Sequence, residues 1–378
     1  MHHDSALSRR TLLAATAAVA TGALAACSDT RRSGGSTTPD VTLHPEITVQ
    51  PPEAPTTVPS GVNGAYVPPP TGEWDTTTAG AAGFSEAGLA EVVQLVADSN
   101  STTFTILHQG LLVAEQYWAG ATADTTRDVA SVQKSFTSTL IGLARDRGLL
   151  SLDDPVSNYL EPGWTNARPA EEGAITVRHL LTMTSGLDER TLQASRTPGA
   201  AWEYNTVAYQ KLRHVLEVAA DTDINSLTGE WLFDAIGIDN PSAWAPRPIG
   251  APDAVGSALW GLNLRAREMA RFGLFAMRNG NWGGTQITDP GWFAEAWTPI
   301  PQARDYGYLW WLLGKGHLGR GGGVDDLVAA LGAQDQKIYV IPSLDLVVTR
   351  QGTAGRDDSQ AVSDFDARLL LALKNARA

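Results

Sequence analysis

Ser131-Val132-Gln133-Lys134 sets a hydroxyl three residues before an amine, a separation that puts both side chains on one face of a helix. An alcohol becomes a useful nucleophile only when a neighbour accepts its proton. Lysine can do so where burial or a nearby cation lowers its pKa toward neutrality, and arginine cannot. This chain has 23 Arg and 5 Lys, so it uses arginine wherever a plain positive charge is wanted. A lysine just before Ser135-Phe136-Thr137-Ser138-Thr139-Leu140-Ile141-Gly142-Leu143-Ala144, which reads as a buried helix, asks for another explanation. The spacing alone is a weak signal, because 22 Ser and 5 Lys among 378 residues give about 0.3 such pairs by chance. On spacing alone, Ser131 as a plain helix cap with Lys134 snorkelling to solvent competes with the chemical reading.

Later stretches extend the pair into a constellation. Leu152-Asp153-Asp154-Pro155-Val156, Tyr159-Leu160 and Ile175-Thr176-Val177-Arg178-His179-Leu180-Leu181-Thr182-Met183-Thr184-Ser185-Gly186-Leu187 follow it. With these, the chain resembles the serine β-lactamase-related family over about residues 85 to 375. That family includes class C β-lactamases, DD-peptidases, esterases and 6-aminohexanoate-dimer hydrolases. The resemblance implies a second motif, Tyr-x-Asn, at Tyr204-Asn205-Thr206, where Tyr204 is the candidate proton shuttle and Thr206, a candidate substrate-binding residue, replaces the amide. It also implies a strand motif, Lys-Thr-Gly or His-Thr-Gly, which aligns with Ala330-Leu331-Gly332 followed by Ala333. Cation and hydroxyl are gone there. Gly332 remains to let substrate approach the strand edge, and the backbone N–H groups of Ser131 and Ala333 are the expected oxyanion hole. The lost cation argues against β-lactam or peptidoglycan turnover, whereas Gly332-Ala333-Gln334-Asp335-Gln336 is similar to the Gly-x-x-Gly-Gln stretch of the dimer hydrolases and esterases.

Competing motifs are weaker. Gly314-Lys315-Gly316-His317-Leu318-Gly319 fits a dinucleotide fingerprint by letter, but glycines rather than a helix follow it, so a surface loop is the better reading. Gly-x-Ser-x-Gly is absent. His44, His108, His179, His214 and His317 show no metal-ligand spacing, and no metal or cofactor is expected. Trp202, Trp244, Trp260, Trp310 and Trp311 are read mainly as core, with one or two lining an acyl pocket. A net charge of −13 without a basic stripe argues against a nucleic-acid partner.

The elements expected to position these residues are an α/β (α+β) assembly: an antiparallel sheet flanked by N- and C-terminal helices, with a large helical lobe inserted, β-lactamase- or transpeptidase-like. Ser85 caps a helix over about 86–98. Phe104–His108 and Leu111–Tyr117 are strands joined at Gln109-Gly110, and Leu327–Leu331, Lys337–Ile341 and Asp345–Thr349 complete the sheet. Between them, about 150–300, helical patterns dominate, as in Leu264–Met277. Ala361–Leu373 is a closing amphipathic helix.

Residues 1–27 read as a targeting segment, with Arg9 and Arg10 before an apolar run. Leu24-Ala25-Ala26-Cys27 is the pattern of a lipoprotein box, and Ser8-Arg9-Arg10-Thr11-Leu12-Leu13 that of a twin-arginine signal. Cys27, the single cysteine, is thus the candidate lipidation site and membrane contact; an ordinary cleaved signal with a chance cysteine is the alternative. Residues 28–76, rich in Pro, Thr, Ser and Gly, read as a disordered tether, and 77–378 as the hydrolase. The expected function is an exported, lipid-anchored or secreted serine hydrolase acting on a small ester or amide. The alternatives are a β-lactamase or DD-peptidase, and a non-catalytic lipoprotein that binds cell-wall fragments or another ligand.

Overall fold

Ser101–His108 (β1) and Leu111–Tyr117 (β2) pair as a hairpin across Gln109 and Gly110. Both turn residues have positive φ, 54° and 83°, the conformation whose twist matches two antiparallel strands. The computed structural model describes residues 66–248, 252–314, 324–353 and 364–377, all within the unit Val49–Ala378. Near its end come Val328–Gly332 (β8), Gln336–Ile341 (β9) and Leu346–Gly352 (β10). The hairpin and these strands form one antiparallel five-stranded sheet in the order β2-β1-β10-β9-β8. Strands β1, β9 and β10 are buried at almost every residue, so successive side chains on both faces are covered.

That cover is helical. Glu86–Ala97 (α1), capped by the Ser85 hydroxyl accepting from the Gly88 N–H at 3.1 Å, packs on β1 and on Asp364–Ala376 (α11). Ala266–Met277 (α9) lies across β1, β9 and β10. Between β2 and β8 the chain builds Arg127–Asp128 (β3), Gln133–Asp146 (α2) and a run of short helices. These are Pro169–Glu172 (α3), Val177–Leu181 (α4), Thr206–Tyr209 (α5), Lys211–Ala220 (α6), Ile224–Thr228 (α7) and Asp234–Ile236 (α8). The insert read as helical also carries Trp244–Pro246 (β4), Trp260–Leu264 (β5), and a small hairpin, Asn281–Trp282 (β6) with Thr285–Gln286 (β7), before Trp292–Ala296 (α10). A second sheet, β3-β5-β4, results; strands of two to five residues are too short to show a period.

Helix α2 runs through the interior, with every residue from Gln133 to Ala144 buried. Phe136 stacks on Phe272 of α9, ring centroids 3.6 Å apart, a contact worth about 0.5–1.5 kcal/mol beyond area burial. The helix that carries Lys134 is therefore anchored against the helix that covers the sheet.

The end of the expected tether is corrected. Residues 66–76 dock through part of their length: Pro68 and Trp74 are buried, and Trp74, 5 % exposed, lies beneath the guanidinium groups of Arg267 and Arg271. Arg271 also donates to the carbonyls of Pro68 and Pro69, and Asp75 O accepts from the Leu112 N–H at 2.9 Å. Proline-rich sequence has no periodicity to read, yet its carbonyls are free to accept from arginine. The signal segment, Cys27, residues 28–65, His44 and the glycine-rich stretch 315–323 lie outside the described residues.

Candidate active site

The turn that presents Ser131 is over-determined. The Val129 N–H donates to Leu262 O of β5 at 2.8 Å, and Asp128 Oδ1 accepts from the Ala130 N–H at 2.8 Å. Ala130 has φ +50°, a left-handed conformation that costs a non-glycine residue about 1–2 kcal/mol and persists only where its surroundings enforce it. A 3-10 turn, Ala130–Val132, then runs into α2. Across that junction Lys134 Nζ donates to Ser131 Oγ at 3.0 Å.

Lys134 is 2 % exposed. Lys211 and Lys337 are as deeply buried, but Lys211 pairs with Asp253 at 2.7 Å and Lys337 with Asp366 at 2.9 Å. Among the described residues Lys134 alone of these three has no carboxylate partner. Its amine lies over the rings of Tyr209 and Tyr204, 4.2 and 4.8 Å from the centroids. Ring faces attract an ammonium by about 0.5–2 kcal/mol, whereas stripping water from a charge costs several. Burial wins: it holds the amine well below the ordinary lysine range, the Arg247 cation lowers it further, and Glu189 opposes weakly.

Tyr204 reaches the same point from the loop before α5. Asn205, buried beside it, donates to Leu187 O at 2.9 Å and accepts from the Ala208 N–H at 2.7 Å, capping α5 and fixing the loop. The Tyr204 ring stacks on Trp311 at 6.0 Å and packs near Trp202 and Tyr306. Burial pushes its phenol up to about 12, against a hydrogen bond with the Ser131 side chain that lowers it. Tyr204 therefore keeps its proton at neutral pH.

The sheet contributes its β8 end. A Cβ added at Gly332 would lie 2.5 Å from Val129 O and 3.0 Å from Ser131 N, so only glycine lets this strand lie against the Ser131 turn. Ala333 follows at once. Beyond it Gln334 and Asp335 are left-handed, φ 63° and 56°, and buried Arg350 holds their carbonyls at 2.8 and 3.0 Å while donating also to Ser99 O, Thr353 O and Ser101 Oγ. A cavity of about 530 Å³ lined by Thr126, Ala130, Ala333 and Gln334 opens beside this turn.

Ser131, Lys134, Tyr204 and Gly332 thus converge, with Ala333 next in chain. Thr206 makes no hydrogen bond to the first three among the described residues; its backbone N–H donates to Glu189 Oε1 at 2.7 Å. Trp244 and Trp310 are core, Trp260 carries the Arg213 guanidinium at 4.5 Å, and Trp202 and Trp311 surround Tyr204. Sequence reasoning missed Arg247, Asp128, Tyr209, Gln133 and Arg350. Gln133 donates to the Tyr209 hydroxyl and to Trp260 O. Gln133 sits inside the Ser131 motif and was legible; Arg247 and Arg350 are far along the chain, with no local pattern to mark them. Among the described residues no three His, Cys, Asp or Glu are grouped to hold a metal ion.

A family model described as Beta-lactamase matches residues 90–373. An uncharacterized protein of Alkalihalophilus pseudofirmus is 26 % identical over 219 residues, 51 % of this chain and 63 % of that protein. A beta-lactamase-like protein of Strobilurus tenacellus is 42 % identical over 65 residues, 16 % of this chain and 23 % of its own length. The chain thus spans less than two thirds of either curated relative. Among solved structures, a provisionally named beta-lactamase from Bacteroides dorei superposes with TM-score 0.63 at 19 % identity, covering 78 % of this chain and 99 % of that one. A provisionally named 6-aminohexanoate-dimer hydrolase from Bacillus anthracis gives 0.61 at 16 % identity, covering 82 % and 89 %. Both likenesses establish the β-lactamase-type fold.

Proposed function

The chain belongs to the beta-lactamase family, and from that premise we propose that it is a serine hydrolase cleaving a small ester or amide through an acyl-enzyme on Ser131. The observation that carries the proposal is the 3.0 Å hydrogen bond from Lys134 Nζ to Ser131 Oγ, made by a buried amine that has no ion-pair partner among the described residues. An uncharged amine has a lone pair to receive the hydroxyl proton.

In the proposed sequence, Ser131 Oγ gives its proton to Lys134 Nζ as it bonds to the substrate carbonyl carbon. The carbonyl electrons move to oxygen, which the N–H groups of Ser131 and Ala333 stabilise. Collapse of this intermediate expels the alkoxide or amine, which takes a proton from Tyr204 Oη; the Lys134 ammonium then returns a proton to Tyr204. Water attacks the acyl-enzyme with the proton path reversed, releasing the acid and restoring Ser131. The aromatic wall of Trp202, Tyr306 and Trp311 supports an apolar acyl group, and Ala330, where the strand motif would carry a cation, disfavours a carboxylate-bearing β-lactam. The sequence of residues 1–27 supports placing this activity outside the cell membrane, tethered through Cys27.

The test compares the parent domain with Ser131→Ala on short-chain p-nitrophenyl esters, and looks for a phosphonyl adduct by intact mass. Loss of hydrolysis and of the adduct in the variant supports the proposal. Equal hydrolysis in both removes it, and inertness of the parent to esters, amide oligomers, penicillins and phosphonates alike turns the reading to a ligand-binding protein.

A further inference from the structure

Arg247 and Asp128 lie 119 residues apart in sequence and meet as a two-point ion pair, Nε to Oδ2 at 2.7 Å and Nη2 to Oδ1 at 3.1 Å. On a protein surface such a pair contributes little to stability, so its placement needs another account. Asp128 Oδ1 is the same oxygen that accepts from the Ala130 N–H, the amide of the left-handed residue immediately before Ser131. Room for that carboxylate is built in, because a Cβ at Gly261 of β5 would come within 2.6 Å of Asp128 Oδ2. Arg247 follows β4 directly, and its N–H donates to Leu259 O at 2.9 Å. The second sheet, β3-β5-β4, thus holds the acid, the gap and the base in register beside the nucleophile turn.

We propose that Asp128 and Arg247 are a positioning pair for the hydrolase proposed above: Asp128 locks the Ala130 turn that aims Ser131, and Arg247 fixes Asp128 while supplying the positive charge beside Lys134 that the β8 motif lacks. The rings of Tyr204 before α5 and Tyr209 within α5 face the Lys134 amine; the charges of Arg247 after β4 and Glu189 after α4 also act on it, with Asp128 of β3 paired to Arg247. Tyr204 and Tyr209 are held protonated by burial. That leaves Arg247 as the cation and Glu189 as the anion that bias the amine, Arg247 the stronger. Removing the Arg247 charge makes Lys134 easier to protonate.

The two members of the pair give the test separate readouts. The second-order rate of Ser131 phosphonylation is measured against pH in the parent, Arg247→Gln, Arg247→Lys and Asp128→Asn. The rate falls in acid as Lys134 takes up its proton. Arg247→Gln shifts that fall to higher pH by about half a unit or more, the scale of one partly screened neighbouring charge. Arg247→Lys restores the parent midpoint. Asp128→Asn cuts the plateau rate about tenfold, through loss of a charged acceptor on the Ala130 N–H. A purely structural pair would lower the plateau and leave the midpoint unmoved. An Arg247→Gln midpoint that coincides with the parent's, or an Asp128→Asn plateau equal to the parent's, overturns this inference while leaving the acyl-enzyme reading intact; a parent that never labels at Ser131 removes that reading, and this inference with it.

Discussion

Gly332→Ala is the sharpest probe of the junction between the sheet and the Ser131 turn. The added methyl would sit 2.5 Å from Val129 O, 3.0 Å from Ser131 N and 3.2 Å from Ala130 Cβ. All three are parts of the turn, and two are backbone, so no flexible side chain can swing away. Ordinary contact begins at about 3.4 Å, leaving a shortfall of about 0.9 Å that the β8 end must take up by moving off the turn. Ala333 moves with it, and with Ala333 the proposed second oxyanion donor. Overpacking of this kind costs about 1–3 kcal/mol of stability, while an oxyanion donor out of place costs about 10²–10³-fold in kcat. The assay is kcat and KM on p-nitrophenyl butyrate at a temperature well below the variant's Tm, with the Tm measured alongside. The expected result is a folded protein with kcat down about 100-fold and KM little changed. A folded variant with kcat within about threefold of the parent would show that the β8 end does not serve the reaction.

Tyr204→Phe keeps the ring against Trp311 and removes only the phenol; kcat should fall about 10²-fold with unfolding midpoints unchanged, and parent-like kcat would exclude the shuttle. Trp74→Ala should cost about 3–5 kcal/mol in urea unfolding without altering kcat, because Trp74 is buried under Arg267 and Arg271, away from Ser131. Cys27→Ala should release the full chain from the membrane fraction and abolish fatty-acid labelling; unchanged partitioning would remove the lipid-anchor proposal.

What the sequence disclosed follows from the range of each signal. The Gln109-Gly110 turn, the Ser85 cap and the apolar run after Lys134 are local, and each appears within a residue or two of its expected place. The strand motif was legible only as the spaces around Gly332, since its characteristic side chains are missing. Arg350 was invisible because nothing near it in sequence announces that its guanidinium will gather five oxygens from the chain around Ser99, Gln334 and Thr353. Arg247 was invisible for the same reason: its meaning comes from β4 and β5, strands too short to read. Residues 66–76 were misread because a segment without periodicity can still dock when arginines satisfy its carbonyls.

The three buried lysines turn the central claim into a contrast of signs. Lys211 and Asp253 are both nearly sealed, with side chains 2 % and 1 % exposed, so Lys211→Met strands a carboxylate and should destabilise by about 3–5 kcal/mol. Lys134 has no such partner among the described residues, so Lys134→Met removes a solvation penalty, keeps the packing volume and should stabilise the fold while abolishing hydrolysis. The pH dependence has a definite direction. Because the folded amine titrates well below its ordinary range, the unfolded chain binds a proton that the folded chain refuses, from the depressed folded pKa up to the unfolded value near 10.4. Stability from this position therefore rises with pH across that window. The margin of Lys134→Met over the parent should be widest on the acid side and shrink toward pH 10, as read from urea midpoints at pH 6, 8 and 9.5. A parent more stable than Lys134→Met at pH 7, or a margin that grows with pH, would mean that Lys134 is charged in the folded protein and cannot be the base that Ser131 requires.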